Sequence, residues 1–321
     1  MKRDQLPPHK TATYVMPRWQ AVYVSVNKAA CTSLKWLVAD LQDEDPAHFH
    51  RSLSRELTRT MTIHRRSLWQ KTPMAKRLPD DKLAAISPDN GWFVFAVVRH
   101  PTARLFSAWQ SKLLLREPWW VDQFGGQEWF PRVPEHGDDI VAEFVRFARL
   151  IARDPEQTIM RNRHFAPQGW MLAADRMPYT RIYRTSEIGE LLEDFEKHLR
   201  AHGYDGGPLK LLRANETPLK PIASLFPPDV LDISRALYAD DFERFGYDDV
   251  MPGGLDPSDR YDDAVLPEII RLIERAERIN DLALRAREIK AELGPVDGAQ
   301  PLPSSPVRRI ATRAKRRLVS D

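Results

Sequence analysis

The chain holds one cysteine, Cys31, in 321 residues. A single thiol excludes an internal disulfide framework and any cysteine-cluster zinc site, and it points to folding in a reducing compartment. Glycine is sparse as well, with 14 residues, while 42% of the chain is hydrophobic and 29% charged. That is ordinary globular composition, neither disordered nor collagen-like. No run approaches the roughly 18–20 uninterrupted apolar residues that cross a bilayer. The opening stretch, MKRDQLPPHKTATYVMPRWQ, is basic but lacks the apolar core of a secretory signal. The expectation is a cytoplasmic protein with no signal peptide and no transmembrane helix.

A strong excess of one charge is missing too. There are 48 basic and 45 acidic residues, a net +3. Residues 301–321 carry six basic residues and one acid, which leaves 42 against 44, a net −2, for residues 1–300. The body is therefore slightly acidic, and no nucleic-acid partner is expected. The basic tail leaves one narrower question, a peripheral contact with anionic lipid at the inner membrane surface.

What is present is a succession of strand–loop–helix units. Residues 21–27, AVYVSVN, and 92–98, WFVFAVV, are short β-branched and aromatic runs of the buried-strand type. Each leads into a helix: one capped by Thr32 or Ser33, the other opened by Pro101 and running to about Leu115. Residues 43–90 are polar and basic, and Arg51, Arg55 and Arg59 fall four apart on one stripe of a helix. Residues 116–138 read as a loop rich in proline, glycine and tryptophan (Trp119, Trp120, Trp129). Amphipathic helices follow at 140–151, at 188–199 behind a strand at Thr180–Tyr183, and at 228–245. Residues 264–292 read as a long charged helix. The pattern is α/β with a mostly parallel sheet.

The first chemical signal is the turn Asn27-Lys28-Ala29-Ala30-Cys31-Thr32-Ser33 between strand and helix. Backbone N–H groups at a helix start converge on one anion, and the hydroxyls add donors. The nucleotide-triphosphatase pattern G-x-x-x-x-G-K-[ST] is absent: the loop has no glycine, and its lysine stands at the start. A loop gripping one phosphate fits better than one wrapping a triphosphate. The second signal is Arg99-His100-Pro101-Thr102-Ala103-Arg104-Leu105-Phe106-Ser107-Ala108-Trp109. It sets an arginine at a strand end and a serine two turns into the next helix, a pair suited to a phosphate.

These two segments resemble the paired cofactor motifs of sulfotransferases that use 3′-phosphoadenosine-5′-phosphosulfate, in the branch of the chondroitin 4-O and heparan sulfate 2-O enzymes. The first family motif reads approximately P-K-x-x-C/S-T-[ST], and here Asn27 replaces the proline. The second, approximately R-[DH]-P-x-x-R-L-x-S-[AG]-[WY], matches Arg99 through Trp109 nearly throughout. Weaker echoes are His164-Phe165-Ala166-Pro167-Gln168, the stretch from Tyr183 to Phe195, and Tyr238 through Tyr247, which is similar to a closing Y-x-x-D-x-x-x-F-G-Y signature. The resemblance implies a P-loop-like three-layer fold over residues 21–250. Around it lie an N-terminal extension (1–20), a charged helical extension (251–293) and a disordered basic tail (294–321).

The resemblance also implies roles. Lys28, Cys31, Thr32 and Ser33 would hold the 5′-phosphosulfate, and Arg99 and Ser107 the 3′-phosphate, with Asn215 and Thr217 as late cofactor contacts. No metal is expected. Lys28 would meet the charge growing on the bridging oxygen. A hydroxyl acceptor calls for a base, and His64 is the candidate because a base histidine of that branch can lie between the two motifs. His164 is the alternative. His48 and His50 share the interval, whereas His100 sits at a variable position. Arg51, Arg55 and Arg65, with Trp119 and Trp120, are candidates for contact with a glycan or glycolipid acceptor. Two other classes stay open: a P-loop-like nucleotide kinase, and a non-catalytic anion- or membrane-surface-binding module that uses the basic tail.

Overall fold

The computed structural model describes residues 1–8, 11–50, 61–154, 158–212, 214 and 217–292. Arg51, Arg55, Asn215 and the basic tail lie outside the described residues. Four strands, β1 (Thr13–Met16), β2 (Ala21–Val24), β3 (Phe93–Val98) and β4 (Arg181–Arg184), form one sheet in the order β1-β2-β3-β4. β2, β3 and β4 run parallel, and β1 joins β2 antiparallel. The expected mixed α/β sheet is present. Ten α-helices are described: α1 (Cys31–Leu41), α2 (Asp80–Ala84), α3 (Pro101–Trp109), α4 (Pro118–Phe124), α5 (Gly137–Ile151), α6 (Gln168–Leu172), α7 (Ile188–Ala201), α8 (Pro228–Leu237), α9 (Ala239–Arg244) and α10 (Leu266–Glu292).

All six residues of β3 are buried, so both faces of the sheet centre are covered. This is the reason the run reads as continuously apolar instead of alternating. On one face Phe195 of α7 packs on Phe93 and Phe95, with ring centroids 5.4 and 5.0 Å apart. Phe195 is fully buried, a stabilisation of about 1.5–3 kcal/mol. A second core gathers around α3 and α5, where Phe144 meets Phe106 and Trp109 edge-on at 5.2 and 5.3 Å.

The body is larger at both ends than the sequence suggests. β1 lies in the segment expected to be an extension. Its four residues are too few to show a period, and only pairing with β2 makes them a strand. The connection closes through Gln20, a non-glycine residue at φ 42°. At the other end, Ile269, Ile273 and Ala276 of α10 are buried, the first two in the second core. Gly137 shows how closely this region fits: a Cβ there would stand 2.2 Å from the Tyr261 carbonyl oxygen. The helix expected to reach Leu115 leaves α-geometry after Trp109 and finishes as a π-helical turn, Gln110–Leu114. That turn is held by the Gln110 amide, which gives and takes hydrogen bonds at the Leu219 backbone, 2.9 and 3.2 Å. The segment 116–138 contains a helix, α4. The stretch 228–245 divides at Tyr238, whose hydroxyl donates to the Phe165 carbonyl at 2.8 Å.

Candidate functional site

β2 and β3 end side by side, and the turns that follow them carry the two motifs. After β2, Lys28 and Ala30 adopt φ of 70° and 52° before Cys31 opens α1. The left-handed conformation that glycine would supply freely is here imposed on two side-chain-bearing residues, at a cost on the order of 1 kcal/mol each. Such strain persists only where the surroundings hold it. Arg104 supplies part of that hold: fully buried in α3, it donates to the carbonyls of Asn27 (3.0 Å), Ala166 (2.9 Å) and Arg163 (3.0 Å). Asn27, standing where the family pattern has proline, adds a bond that proline lacks: its amide donates to His164 Nε2 at 2.9 Å. The loop is thereby stitched to residues 163–166.

Thr32 and Ser33 sit buried in the first turn of α1, where N–H groups lack intrahelical partners. Ser33 Oγ accepts from the Ala214 N–H at 3.3 Å, bringing the late segment that contains Thr217 toward the loop. Lys28 is half-buried, and its ammonium donates to Ser111 Oγ in the π-helical turn at 2.9 Å. Burial, and then neighbouring Lys112, push Lys28 down to about 7. The irregular turn thus has a use: it presents Ser111 to Lys28, and it carries Lys112, which pairs with Glu117.

Arg99 follows β3. Its backbone is clamped by Gln168, whose side chain accepts from the Arg99 N–H (2.9 Å) and donates to the Arg99 carbonyl (2.8 Å). Asp241 in turn fixes Gln168 and Gly169 at the start of α6, accepting both backbone N–H groups at 2.7 Å. Two weak sequence echoes, around His164–Gln168 and Tyr238–Tyr247, are therefore the frame of the second motif. The Arg99 guanidinium is half-buried, has no ion-pair partner among the described residues, and is held below the usual arginine range by burial and by Arg104. A cation withdrawn from water without a counter-ion is a place for an anion. Ser107 is buried in α3 two turns on. A cavity of about 730 Å³ opens beside this strand end, bordered by Val98, Ile182, Arg184, Glu187 and Gly246.

Two histidines press on the loop. His64 bridges two side chains of α1: Lys35 Nζ lies 2.8 Å from Nδ1, and Thr32 Oγ1 lies 3.0 Å from Nε2. An ammonium only donates, so Nδ1 accepts and Nε2 carries the proton. Burial, with Lys35 and Lys112, pulls His64 down to about 2. His164 has the opposite tautomer. Nδ1 donates to Asn162 Oδ1 at 2.9 Å, and Nε2 accepts from Asn27. Burial and Lys112 hold it far below the ordinary imidazole range. His48 is exposed beside Asp45 (3.8 Å), and His50 stacks on Trp36. His100 donates to the Asp249 carbonyl at 2.9 Å between Phe242 and Tyr247, a packing role.

Of the candidate acceptor residues, Arg65 is exposed and Trp119 is 49% exposed. Trp120 corrects the expectation: it is 1% exposed, packed edge-on against His164 and Phe165, and presents no face to a sugar. It follows Pro118 on the buried side of α4, which the reading of this segment as a loop concealed. Sequence reasoning also passed over Lys35, Arg104 and Ser111. The signals were a lysine three residues after Thr32 set among Leu34, Trp36, Leu37 and Val38, and an arginine set against Leu105 and Phe106. Ser111 had none, because its position depends on the π-helical turn.

Among the described residues no group of three or more His, Cys, Asp or Glu could hold a metal, and no helix is long and apolar enough to cross a membrane. No curated protein and no solved structure matches the chain. A family model described as "Sulfotransferase family" matches residues 11–248. Its span takes in β1, the loop Asn27–Ser33, the Arg99 motif and the frame that ends at Tyr247, and it begins just before the sheet begins. The family carries a P-loop-like fold and sulfuryl-transfer chemistry, and the chain belongs to the sulfotransferase family.

Proposed function

We propose that the protein moves a sulfuryl group from 3′-phosphoadenosine-5′-phosphosulfate to a hydroxyl of a carbohydrate or glycolipid acceptor, as enzymes of the chondroitin 4-O and heparan sulfate 2-O branch do. The observation that carries the reading is the pair Lys28 and Arg99. Both are half-buried at the ends of adjacent parallel strands, and neither has an ion-pair partner among the described residues. Two separated anionic groups on one ligand, a 5′-phosphosulfate and a 3′-phosphate, match two such cations. The donor supplies an activated sulfur–oxygen bond whose phosphate end departs with the electron pair.

This chain's own residues do the rest. Cys31, Thr32 and Ser33 offer first-turn N–H groups and hydroxyls to the 5′ end, while Arg99 and Ser107 take the 3′-phosphate, with Asn215 and Thr217 as late cofactor contacts. Lys28 places its ammonium where charge grows on the leaving oxygen, so fixed cations serve the step and no metal is called for. An arriving anion raises the Lys28 pKa again and keeps it charged in the complex. His64 is the base, with His164 the alternative; each must first exchange the hydrogen bond that now occupies Nε2. Arg51, Arg55, Arg65 and Trp119 serve the acceptor. The nucleotide-kinase alternative is disfavoured because a loop without glycine, braced by Arg104 and Asn27, leaves little backbone for a triphosphate.

The test is transfer of labelled sulfate from 3′-phosphoadenosine-5′-phosphosulfate across carbohydrate, glycolipid and phenol acceptors. Label on a carbohydrate or glycolipid, lost in Lys28→Ala, supports the reading. Transfer to phenols alone, or to none of these, contradicts it.

A further inference from the structure

Lys35 is a buried lysine, 5% exposed, one turn beyond Thr32 on the same face of α1. Its Nζ donates to His64 Nδ1 at 2.8 Å, and the opposite edge of the ring meets Thr32 Oγ1 at 3.0 Å. An imidazole base is ordinarily oriented by a carbonyl or carboxylate, which accepts from one nitrogen and leaves a lone pair on the other. An ammonium does the reverse. It claims the lone pair of Nδ1 and leaves the proton on Nε2, the nitrogen a substrate hydroxyl would need.

Among the described residues, charged and titratable groups face the pair from several elements. Cys31 lies on the same helix, and the Tyr14 ring of β1 stands 5.9 Å from the ammonium. Arg66 comes from the segment that carries His64, Arg163 from the segment before His164, Lys112 from the π-helical turn and Lys28 from the loop. Among these described groups, cations predominate. Burial, opposed by Cys31 and aided by Arg163 and Arg66, brings Lys35 down to about 8.

We infer that Lys35 is a positioning residue that acts through His64 as the final proton acceptor of the transfer step, so that His64 is a base only while Lys35 is an amine. The inference rests on the sulfotransfer reading with His64 as base. With Lys35 neutral, Nδ1–H donates to the amine and the Nε2 lone pair is open. The acceptor hydroxyl reaches it by displacing the Thr32 hydroxyl. As the acceptor oxygen bonds to sulfur and the sulfur–oxygen bond to the phosphate breaks, the hydroxyl proton passes to Nε2 and the Nδ1 proton passes to Nζ. His64 ends neutral with its proton on Nε2, and Lys35 ends as an ammonium. Those are the states that hold while Lys35 is an ammonium, and loss of one proton from Lys35 to solvent, with the imidazole proton returning from Nε2 to Nδ1, resets the pair.

The experiment is a pH titration of the full-length protein by ¹⁵N imidazole NMR, with adenosine 3′,5′-bisphosphate bound. The wild type is compared with Lys35→Arg and Lys35→Met. The expected result is a His64 proton on Nε2 at low pH that moves to Nδ1 as pH rises through about 8, a switch absent from both variants. Hydrolysis of 3′-phosphoadenosine-5′-phosphosulfate, with water as acceptor, should rise about tenfold from pH 7 to 9 in the wild type and stay flat in Lys35→Arg. A wild type whose His64 keeps one tautomer across this range overturns the inference, as does a Lys35→Arg protein with the wild-type pH profile. Failure to bind the bisphosphate would instead remove the sulfotransfer reading, and the NMR titration of the free protein would still decide the Lys35–His64 relation.

Discussion

Replacing Arg104 by methionine removes the brace behind the loop Asn27–Ser33 while keeping much of the side-chain volume. The three acceptors it serves differ in exposure. The bond to the Ala166 carbonyl is fully buried, whereas those to Asn27 and Arg163 are partly buried. An unpaired buried carbonyl costs about 1–3 kcal/mol, and each partly buried bond contributes about 0.5–1.5 kcal/mol. Against this stands the relief of no longer burying a guanidinium. The net expectation is a destabilisation of about 2–4 kcal/mol, read as a lower urea midpoint at unchanged m-value. Because Asn27 and the strained Lys28 and Ala30 lose their support, adenosine 3′,5′-bisphosphate should also bind roughly tenfold more weakly by calorimetry, about 1.4 kcal/mol. Arg104→Lys, which keeps the charge but not three separated donors, should fall between. A methionine variant within about 1 kcal/mol of the wild type, with unchanged affinity, would refute the claim that the loop's shape is imposed from α3.

Two further outcomes follow from the geometry. The folded protein holds Lys28 at about 7, and a bound anion raises it, so binding the bisphosphate near pH 8 should take up a proton and weaken as pH rises. Calorimetry in buffers of different ionisation enthalpy should show that uptake in the wild type and not in Lys28→Met. Ile273→Ala should cost about 2–4 kcal/mol in urea unfolding, because Ile273 is buried in the second core; a change under about 0.5 kcal/mol would restore the view of α10 as an appendage.

The parts of the fold legible in the sequence were those with strong local patterns. β3 reads as a strand because both its faces are covered, and Pro101 marks the start of α3. Lys28 and Arg99 drew attention because each follows a buried-strand run and precedes a helix, and the fold does set them after adjacent parallel strands. What stayed hidden was set by tertiary pairing. Four residues become β1 only against β2, and α10 shows its buried stripe only over its first turns, diluted by a long charged remainder. The π-helical turn is imposed by Gln110 on the Leu219 backbone, and no local propensity announces it. Within the site, one motif carries two arginines five positions apart: Arg104, which braces the loop, and Arg99, which has no ion-pair partner among the described residues. The tautomers of His64 and His164 depend on Lys35 and Asn162, whose neighbourhood only folding creates.

The central claim is that Arg99 and the phosphate loop grip two different phosphates of one nucleotide. Calorimetric titration of the wild type and Arg99→Met with adenosine 3′,5′-bisphosphate and with adenosine 5′-monophosphate tests it most directly. A charge-assisted grip of up to about 3 kcal/mol on the 3′-phosphate predicts a loss of about 100-fold for the bisphosphate and little change for the monophosphate. Equal losses for both nucleotides, or a wild type that does not distinguish them, would contradict it.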